Sequence, residues 1–438
     1  MFLVGLGILL LALFLGSRLQ GMSMSMIGSL GILSYMLLFN AVPADPPFPV
    51  ILCIAAVLTA VGTVEAAGGL HYLVQLAESC IRKYPQRILY ISPAVTYVIT
   101  FLGGTNHIAY SILPVIAEVS KEIGIRPERP LSLSVIAAMH GALASPISAI
   151  MATLTGFLTG YGIDMVTICK ILIPSTMGGI GIAACLISQL SSKMPAMPAA
   201  VENKTAAPTT PVNPSSLACS NRKMAQGSIL LFVLGSLSIL FISSFKTLRP
   251  TWEVNAIQLP LSDEVLLSLM MLSTACLIML IYRISPKSII QGKAFMTGVQ
   301  GMFSLLGTAW LSSTFVKCNQ EVLLRFVERY LSEPWQFSIM LLLMSALMGS
   351  SAATIKALFP LGLLLQIPPK ILLASVIAVN GIFIIPIYPT ILAAIQLDTT
   401  GSTRIGRFLF NHSFMLPGCI TVVAAVCIAF ALVATGIV

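Results

Sequence analysis

The sequence predicts an all-α polytopic membrane protein. Its plan is two inverted repeats, about ten transmembrane helices and two re-entrant hairpins, with helices broken at mid-membrane. Three observations predict this. Of 438 residues 57% are hydrophobic and 9% charged, with mean hydropathy +0.96, where a soluble domain carries roughly 25% charge. Ten apolar stretches approach the length needed to cross ~30 Å of hydrocarbon. Two polar interruptions, "GGTNHIAYSILP" (103–114) and "GSSAATIKALFP" (349–360), read as one motif written twice.

The apolar stretches fall near 2–16, 24–40, 48–64, 131–158 and 164–190, then near 227–245, 264–281, 294–313, 370–396 and 414–436. The first is followed by Arg18 rather than an Ala-x-Ala site, so it is expected to be a span and not a cleaved leader. Residues 191–226, rich in Pro, Ala, Ser and Thr, divide a first repeat (1–190) from a second (227–438). Segments 86–118 and 334–366 are apolar but broken in the middle, with limbs of only ~15 residues, too short to span comfortably. Both are therefore expected to enter and leave on one side. The loops then carry sixteen Lys and Arg on one face, including Arg82, Arg126 and Arg222, and seven on the other, including Lys170 and Lys317. The positive-inside rule places the linker in the cytoplasm and both termini outside. It also accounts for the net charge of +9 without a nucleic-acid partner; the lipid bilayer is the expected surroundings.

The repeat extends past the hairpins. "SVIAAMHGALASPIS" (134–148) answers "SVIAVNGIFIIPIYP" (375–389), and "LIPSTMGG" (172–179) answers "LPGC" (416–419). With five spans per copy, the second copy lies inverted, and inverted repeats with discontinuous helices mark secondary transporters. Gly103 and Gly104 permit the turn, and Thr105, Asn106 and His107 begin the returning helix, exposing its unpaired N–H groups. Ser145 before Pro146 reads as a capped helix restart, with Pro386 and Pro389 in the second copy. Four half-helix N-termini are expected to converge near mid-membrane, where they favour an anion, and paired termini a dianion.

The candidate substrate-binding residues are Gly104, Thr105, Asn106, His107, Ser145, Pro146 and Ser148 from the first copy. The second copy offers Ser350, Ser351, Thr354, Lys356, Pro386 and Tyr388. An intramembrane lysine costs ~2.5–3.5 kcal/mol on insertion scales, so Lys356 either snorkels to the surface or pairs with a substrate carboxylate. His140 and Asn380 precede matching glycines, where helix packing is as good a reading as ligand contact. Asp398, Thr399, Thr400 and Arg404 are candidates for a gate or relay, with a solvated loop as the plain alternative. Amphipathic stretches 70–83 and 319–331 read as interfacial arms linking a fixed part to a moving part. No nucleophile–base pair or metal cluster appears, so neither an enzyme nor a metal site is expected. The nine cysteines lie mostly in apolar runs without Cys-x-x-Cys spacing. No Walker motif occurs, and no cofactor is expected, with proton or sodium coupling left open.

The sequence resembles the Dcu A/B family of anaerobic C4-dicarboxylate transporters of bacterial inner membranes, over nearly the whole chain. The resemblance rests on "AGGLHYLVQLAESCIRKYPQ" (67 to 86 region), "ILPVIAEV" with "IRPERPLS", "ASPIS", "IPST", "PIYPT" and "QLDTTGSTRIGRFLFNHSFMLPG". "NHIAYSILP", "IRPERP" and "NHSFMLPG" are nearer the B branch, and Lys356 with "PVIAEV" nearer the A branch. The family tip usually reads Gly-Thr-Gly, and here Asn106 replaces the last glycine. The resemblance implies exchange or uptake of fumarate, succinate, malate and aspartate in the inner membrane, most simply fumarate–succinate antiport. It also implies a possible homodimer and, from the B branch, a membrane sensor kinase as partner. A cation-coupled carrier of other small organic dianions is the alternative.

Overall fold

The computed structural model describes residues 2–19, 22–46, 48–191, 222–244, 248, 250–254, 257–322, 325, 333–364, 366–386, 388–406 and 411–436. Residues 192–221, nearly all of the expected linker, and most of the expected arm at 319–331 lie outside that set. The described residues are mostly helical, with an addition that the sequence does not predict. Strands β1 (Thr251–Val254) and β2 (Ile257–Pro260) form a small antiparallel hairpin in the loop before the eleventh helix, Thr251 opposite Pro260.

Helices α1 (Phe2–Leu19), α2 (Ser23–Phe39) and α3 (Phe48–Ala66) fall on the first three apolar stretches. At Gly68, φ 80°, the chain turns by 75° into α4 (Gly69–Lys83). Leu70, Ala77 and Ile81 line the buried face of α4, while Glu78 and Arg82 lie on its polar side. This is the amphipathic pattern expected of an arm lying along an interface.

The first broken hairpin is α5 (Ile88–Gly103), a 3₁₀ stretch Asn106–Ser111, and α6 (Leu113–Glu122). It is followed by α7 (Glu128–Ala144), α8 (Ala149–Leu158) and α9 (Met165–Ser191). The second half runs α10 (Arg222–Ser244), α11 (Asp263–Tyr282), α12 (Pro286–Ile290) and α13 (Lys293–Cys318). Its hairpin is α14 (Pro334–Met348) and α15 (Ser351–Leu364). After it come α16 (Pro369–Ser375), a 3₁₀ stretch Val376–Phe383, α17 (Pro389–Leu397) and α18 (Met415–Ala434). Among the described residues, Met165–Leu190, Val265–Tyr282 and Met415–Ala434 are single helices long and apolar enough to cross a membrane, and α3 with α4 makes a bent pair that qualifies together. Leu30, Leu33 and Leu37 on α2, and Leu234, Leu237 and Phe241 on α10, are exposed. Contiguous apolar surface of this extent suits lipid rather than water.

The packing interleaves the two halves. α13 lies against α1 and α2, burying Leu9, Tyr35, Leu311 and Phe315 in a cluster of their own. Gly307 N donates to Ser25 Oγ at 3.0 Å across that contact. In the same way α3 lies against α10 and α11. The hairpins and broken helices share one large core with α3, α9, α11 and α18.

One close backbone approach holds each hairpin to its broken helix. A methyl group on Gly141 of α7 would sit 2.6 Å from Tyr97 O of α5, and one on Gly381 would sit 2.5 Å from Leu342 O of α14. On the hairpin side the match is equally close: Thr100 Oγ1 donates to Tyr97 O at 3.1 Å, and Ser345 Oγ donates to Leu342 O at 2.9 Å. Arg82 then ties the arm to the first hairpin, with Nε 2.7 Å from Glu78 on α4 and Nη1 2.6 Å from Glu122 on α6.

Candidate functional site

The site is built from two tips and two breaks. Helices α5 and α14 both end in a left-handed glycine, Gly104 at φ 66° and Gly349 at φ 58°, a conformation other residues take at a cost. After Gly104 the chain returns as 3₁₀ helix rather than directly as α-helix. After Gly349 it returns as α15, and Thr354 closes the first turn, its N and Oγ1 donating to Ser350 O at 3.0 and 2.8 Å.

The breaks follow from proline. Pro146 pushes the residue before it out of the α region, and Ser145 is extended, with φ −70° and ψ 128°. α7 therefore stops, and α8 starts at Ala149. The capping hydroxyl is that of Ser148, which accepts from Met151 N at 3.1 Å. This corrects the expectation that Ser145 caps the restart: with Pro146 to Ser148 forming the turn, Ser145 is too far upstream. Its Oγ is buried and makes no hydrogen bond among the described residues. In the second break Tyr388 is extended, with ψ 136°, before Pro389 at the first helical position of α17. Pro389 thus starts the helix, while Pro386 lies in the preceding turn.

One cavity of about 100 Å³ joins these parts. Gly104, Thr105 and Asn106 come from the first tip, Ser350 and Ser351 from the second, and Ser148 and Tyr388 from the breaks. Asn106 Nδ2 donates to Tyr388 Oη at 2.9 Å, linking residues 282 apart in sequence. Ser351 Oγ donates to Val379 O at 2.9 Å. The apolar wall comes from Ile54, Val57 and Leu58 on α3 and from Met302 on α13. A dry cavity of ~150 Å³ admits benzene, so this one suits a molecule of only a few non-hydrogen atoms.

Several sequence candidates stand off that wall. Ser145, Pro146, Thr354 and Pro386 are not among its lining residues. The side chains of His107, in the 3₁₀ stretch, and of Lys356, in α15, lie outside the described set. In the other direction, the cavity includes residues that the sequence did not mark. Ile54, Val57, Leu58 and Met302 are ordinary span residues with no local signal. Asn380 also lines it, and its only signal was its place opposite His140 in the repeat. His140 is buried with Nδ1 on Ile136 O at 2.9 Å.

No described lining residue carries a formal charge. The positive potential comes from backbone: α8, α15 and α17 all begin at the cavity, each N-terminus worth roughly half a charge. Because Pro389 has no N–H, α17 contributes fewer donors than the other two.

The gate candidates lie farther out. α17 separates Tyr388 from Asp398 by nine residues, or about 13 Å at 1.5 Å per residue. Asp398 is buried and organises its loop, accepting from Thr400 N at 2.9 Å, Ser402 Oγ at 2.7 Å and Thr403 N. Thr399 and Arg404 are exposed. The same loop docks on α7, with Glu128 N donating to Ser402 Oγ at 3.1 Å and Ser413 Oγ donating to Glu128 at 2.7 Å.

Burial alone would raise the Asp398 carboxyl, but the bonds from Thr400, Ser402 and Thr403 outweigh it and hold the group below its ordinary range. A depressed folded pKa means that the charged form stabilises the fold above the unfolded value, ~3.9, and that this support is lost as pH falls through the lower folded value. Asp398→Asn is accordingly expected to lower thermal stability in detergent at pH 7, the wild-type advantage shrinking as pH falls below about 4. Equal melting temperatures at pH 7 would show that the carboxylate does not hold the loop.

Comparison with known proteins agrees with this architecture. The chain matches the family described as anaerobic C4-dicarboxylate membrane transporter over residues 1–437. It is 36% identical over 425 residues to the C4-dicarboxylate transporter DcuA of Wolinella succinogenes, covering 97% of each chain. To DcuA of Escherichia coli K12 it is 36% identical over 435 residues, covering 99% of each. To the anaerobic C4-dicarboxylate transporter DcuB of Escherichia coli O6:H1 it is 34% identical over 436 residues, covering 96% of each. In fold it is similar to the YdaH transporter of Alcanivorax borkumensis, with TM-score 0.51 at 15% identity, covering 99% of this chain and 98% of that one. The relatives are transporters, a class that does no chemistry on its cargo, and the exposed apolar helices are those of a multi-pass membrane protein. By its whole length, and not by a motif alone, this chain belongs to the anaerobic C4-dicarboxylate membrane transporter family.

Proposed function

We propose that this chain is a secondary carrier of C4-dicarboxylates, exchanging or importing fumarate, succinate, malate and aspartate across a bacterial inner membrane by alternating access. The observation that carries the reading is a cavity walled by both hairpin tips and both helix breaks. Helix N-termini supply a positive potential at its wall, and because the cavity is smaller than a C4-dicarboxylate needs, binding widens it as the moving part opens.

The same reading takes the molecule as two inverted repeats, 1–190 and 227–438, each with five spans and one re-entrant hairpin. Matched contacts support it: Gly141 of α7 packed against α5, and Gly381 of the second 3₁₀ stretch packed against α14, are one packing solution used twice. The hairpins and broken helices form the moving part, against a fixed part made largely of α1, α2, α10 and α11 and their neighbours; α1, α2 and α13 have a core of their own. The linker is cytoplasmic and both termini are periplasmic. A homodimer and a membrane sensor kinase are the partners that the family resemblance suggests.

Reconstitution tests the function. Proteoliposomes loaded with succinate are expected to take up labelled fumarate faster than empty ones. An unchanged rate, with neither a proton nor a sodium gradient able to drive uptake, would refute the carrier reading.

A further inference from the structure

Asn380 is 1% exposed and lines the cavity. Its Nδ2 finds no hydrogen-bond partner among the described residues, whereas buried polar groups are nearly always paired. Its Oδ1 is not idle: Ser351 Oγ approaches it at 3.4 Å while donating to Val379 O at 2.9 Å. The oxygen is thus turned toward the second hairpin tip, and the amide nitrogen is left with two donors and nothing to receive them.

Asn106 presents the opposite case. Its Nδ2 donates to Tyr388 Oη at 2.9 Å, and Tyr388 Oη lies 3.4 Å from its Oδ1. That amide is spent on joining the first tip to the second break. Of the two amides at the cavity, one is bonded to protein and one is open.

The geometry points to Asn380 as a specificity-determining residue that recognises one carboxylate of the transported anion through its amide N–H groups. This rests on reading the cavity as the dicarboxylate site. An ionised carboxylate only accepts hydrogen bonds, so a donor-only face selects it over an ammonium end and binds it more strongly than a neutral amide carbonyl. A neutral donor does so without burying a counterion that must itself be desolvated. The repeat does not duplicate the feature, because His140, at the matching place, is not on the cavity wall. The two ends of the anion therefore meet different chemistry.

The test is succinate-loaded proteoliposomes taking up labelled succinate at pH 8, with rates normalised to monodisperse protein. Asn380→Ala is expected to raise the apparent KM by about 10-fold or more, as loss of a bond to a charged group does, with the maximal rate changed much less. Asn380→Ser provides a second truncation if the alanine variant does not fold. Asn380→Asp keeps an acceptor for Ser351 but sets a carboxylate against a carboxylate, so it should transport worse than either truncation. If Asn380 only braces the tip, the order reverses, and the aspartate variant outperforms alanine; that result overturns the assignment. Wild-type transport with the same KM in every variant overturns it as well, leaving the site reading intact. A wild-type protein that transports no dicarboxylate removes the site reading and this assignment together.

Discussion

Lys356→Ala is expected to raise the apparent KM for succinate by roughly 10- to 150-fold. The range follows from ~1.5–3 kcal/mol for a hydrogen bond to a charged group at 1.4 kcal/mol per decade. Lys356 sits in α15, six residues from the Ser350 that lines the cavity. It is placed in an apolar helix of the second hairpin, where an ammonium is costly unless it has an anion or the membrane surface to reach. Lys356→Arg should rescue only in part, because the planar guanidinium is larger and asks for different geometry. Uptake kinetics measured beside the amount of folded protein in the membrane decide the matter. An alanine variant that inserts and transports normally would mean that the lysine snorkels, leaving hydroxyls, Asn380 and helix N-termini to hold the anion.

Gly381→Ala should weaken the fold itself. The added methyl would lie 2.5 Å from the Leu342 carbonyl, and backbone cannot step aside as a side-chain end can. Overpacking of this kind typically costs ~1–3 kcal/mol, which is roughly a 5- to 150-fold change in the folded ratio. Gly141→Ala should behave alike, since its methyl meets the Tyr97 carbonyl at 2.6 Å. Gly181→Ala in α9 is the control: nothing lies within 4 Å of its methyl, and alanine is the better helix former. Melting curves in detergent should rank 181 above 141 and 381. Equal stability of all three would mean that the hairpins are not held by these contacts.

The positions of the elements were legible because lipid leaves few alternatives. Without water to satisfy backbone groups, an apolar stretch of span length has to be helix, and so the stretches at 2–16, 24–40 and 48–64 became α1, α2 and α3. Both tips and both breaks were legible for a related reason: glycine and proline act on their own backbone, and the repeat states each signal twice. The β1–β2 hairpin was not legible, since short strands in a loop have no membrane-imposed pattern.

The sequence by itself determined where helices start, stop and turn, because those outcomes depend on residues a few positions apart. Only the tertiary structure decided which hydroxyl caps α8, since Ser145 and Ser148 differ by where the turn after Pro146 delivers them. It alone decided that Asn106 is bonded to Tyr388 while Asn380 stays open, and that Ile54, Val57, Leu58 and Met302 form the apolar wall. It alone paired α13 with α1 and α2, and α3 with α10 and α11. Each of these joins residues distant in the chain, and their contacts are set by packing across the two halves rather than by any local preference.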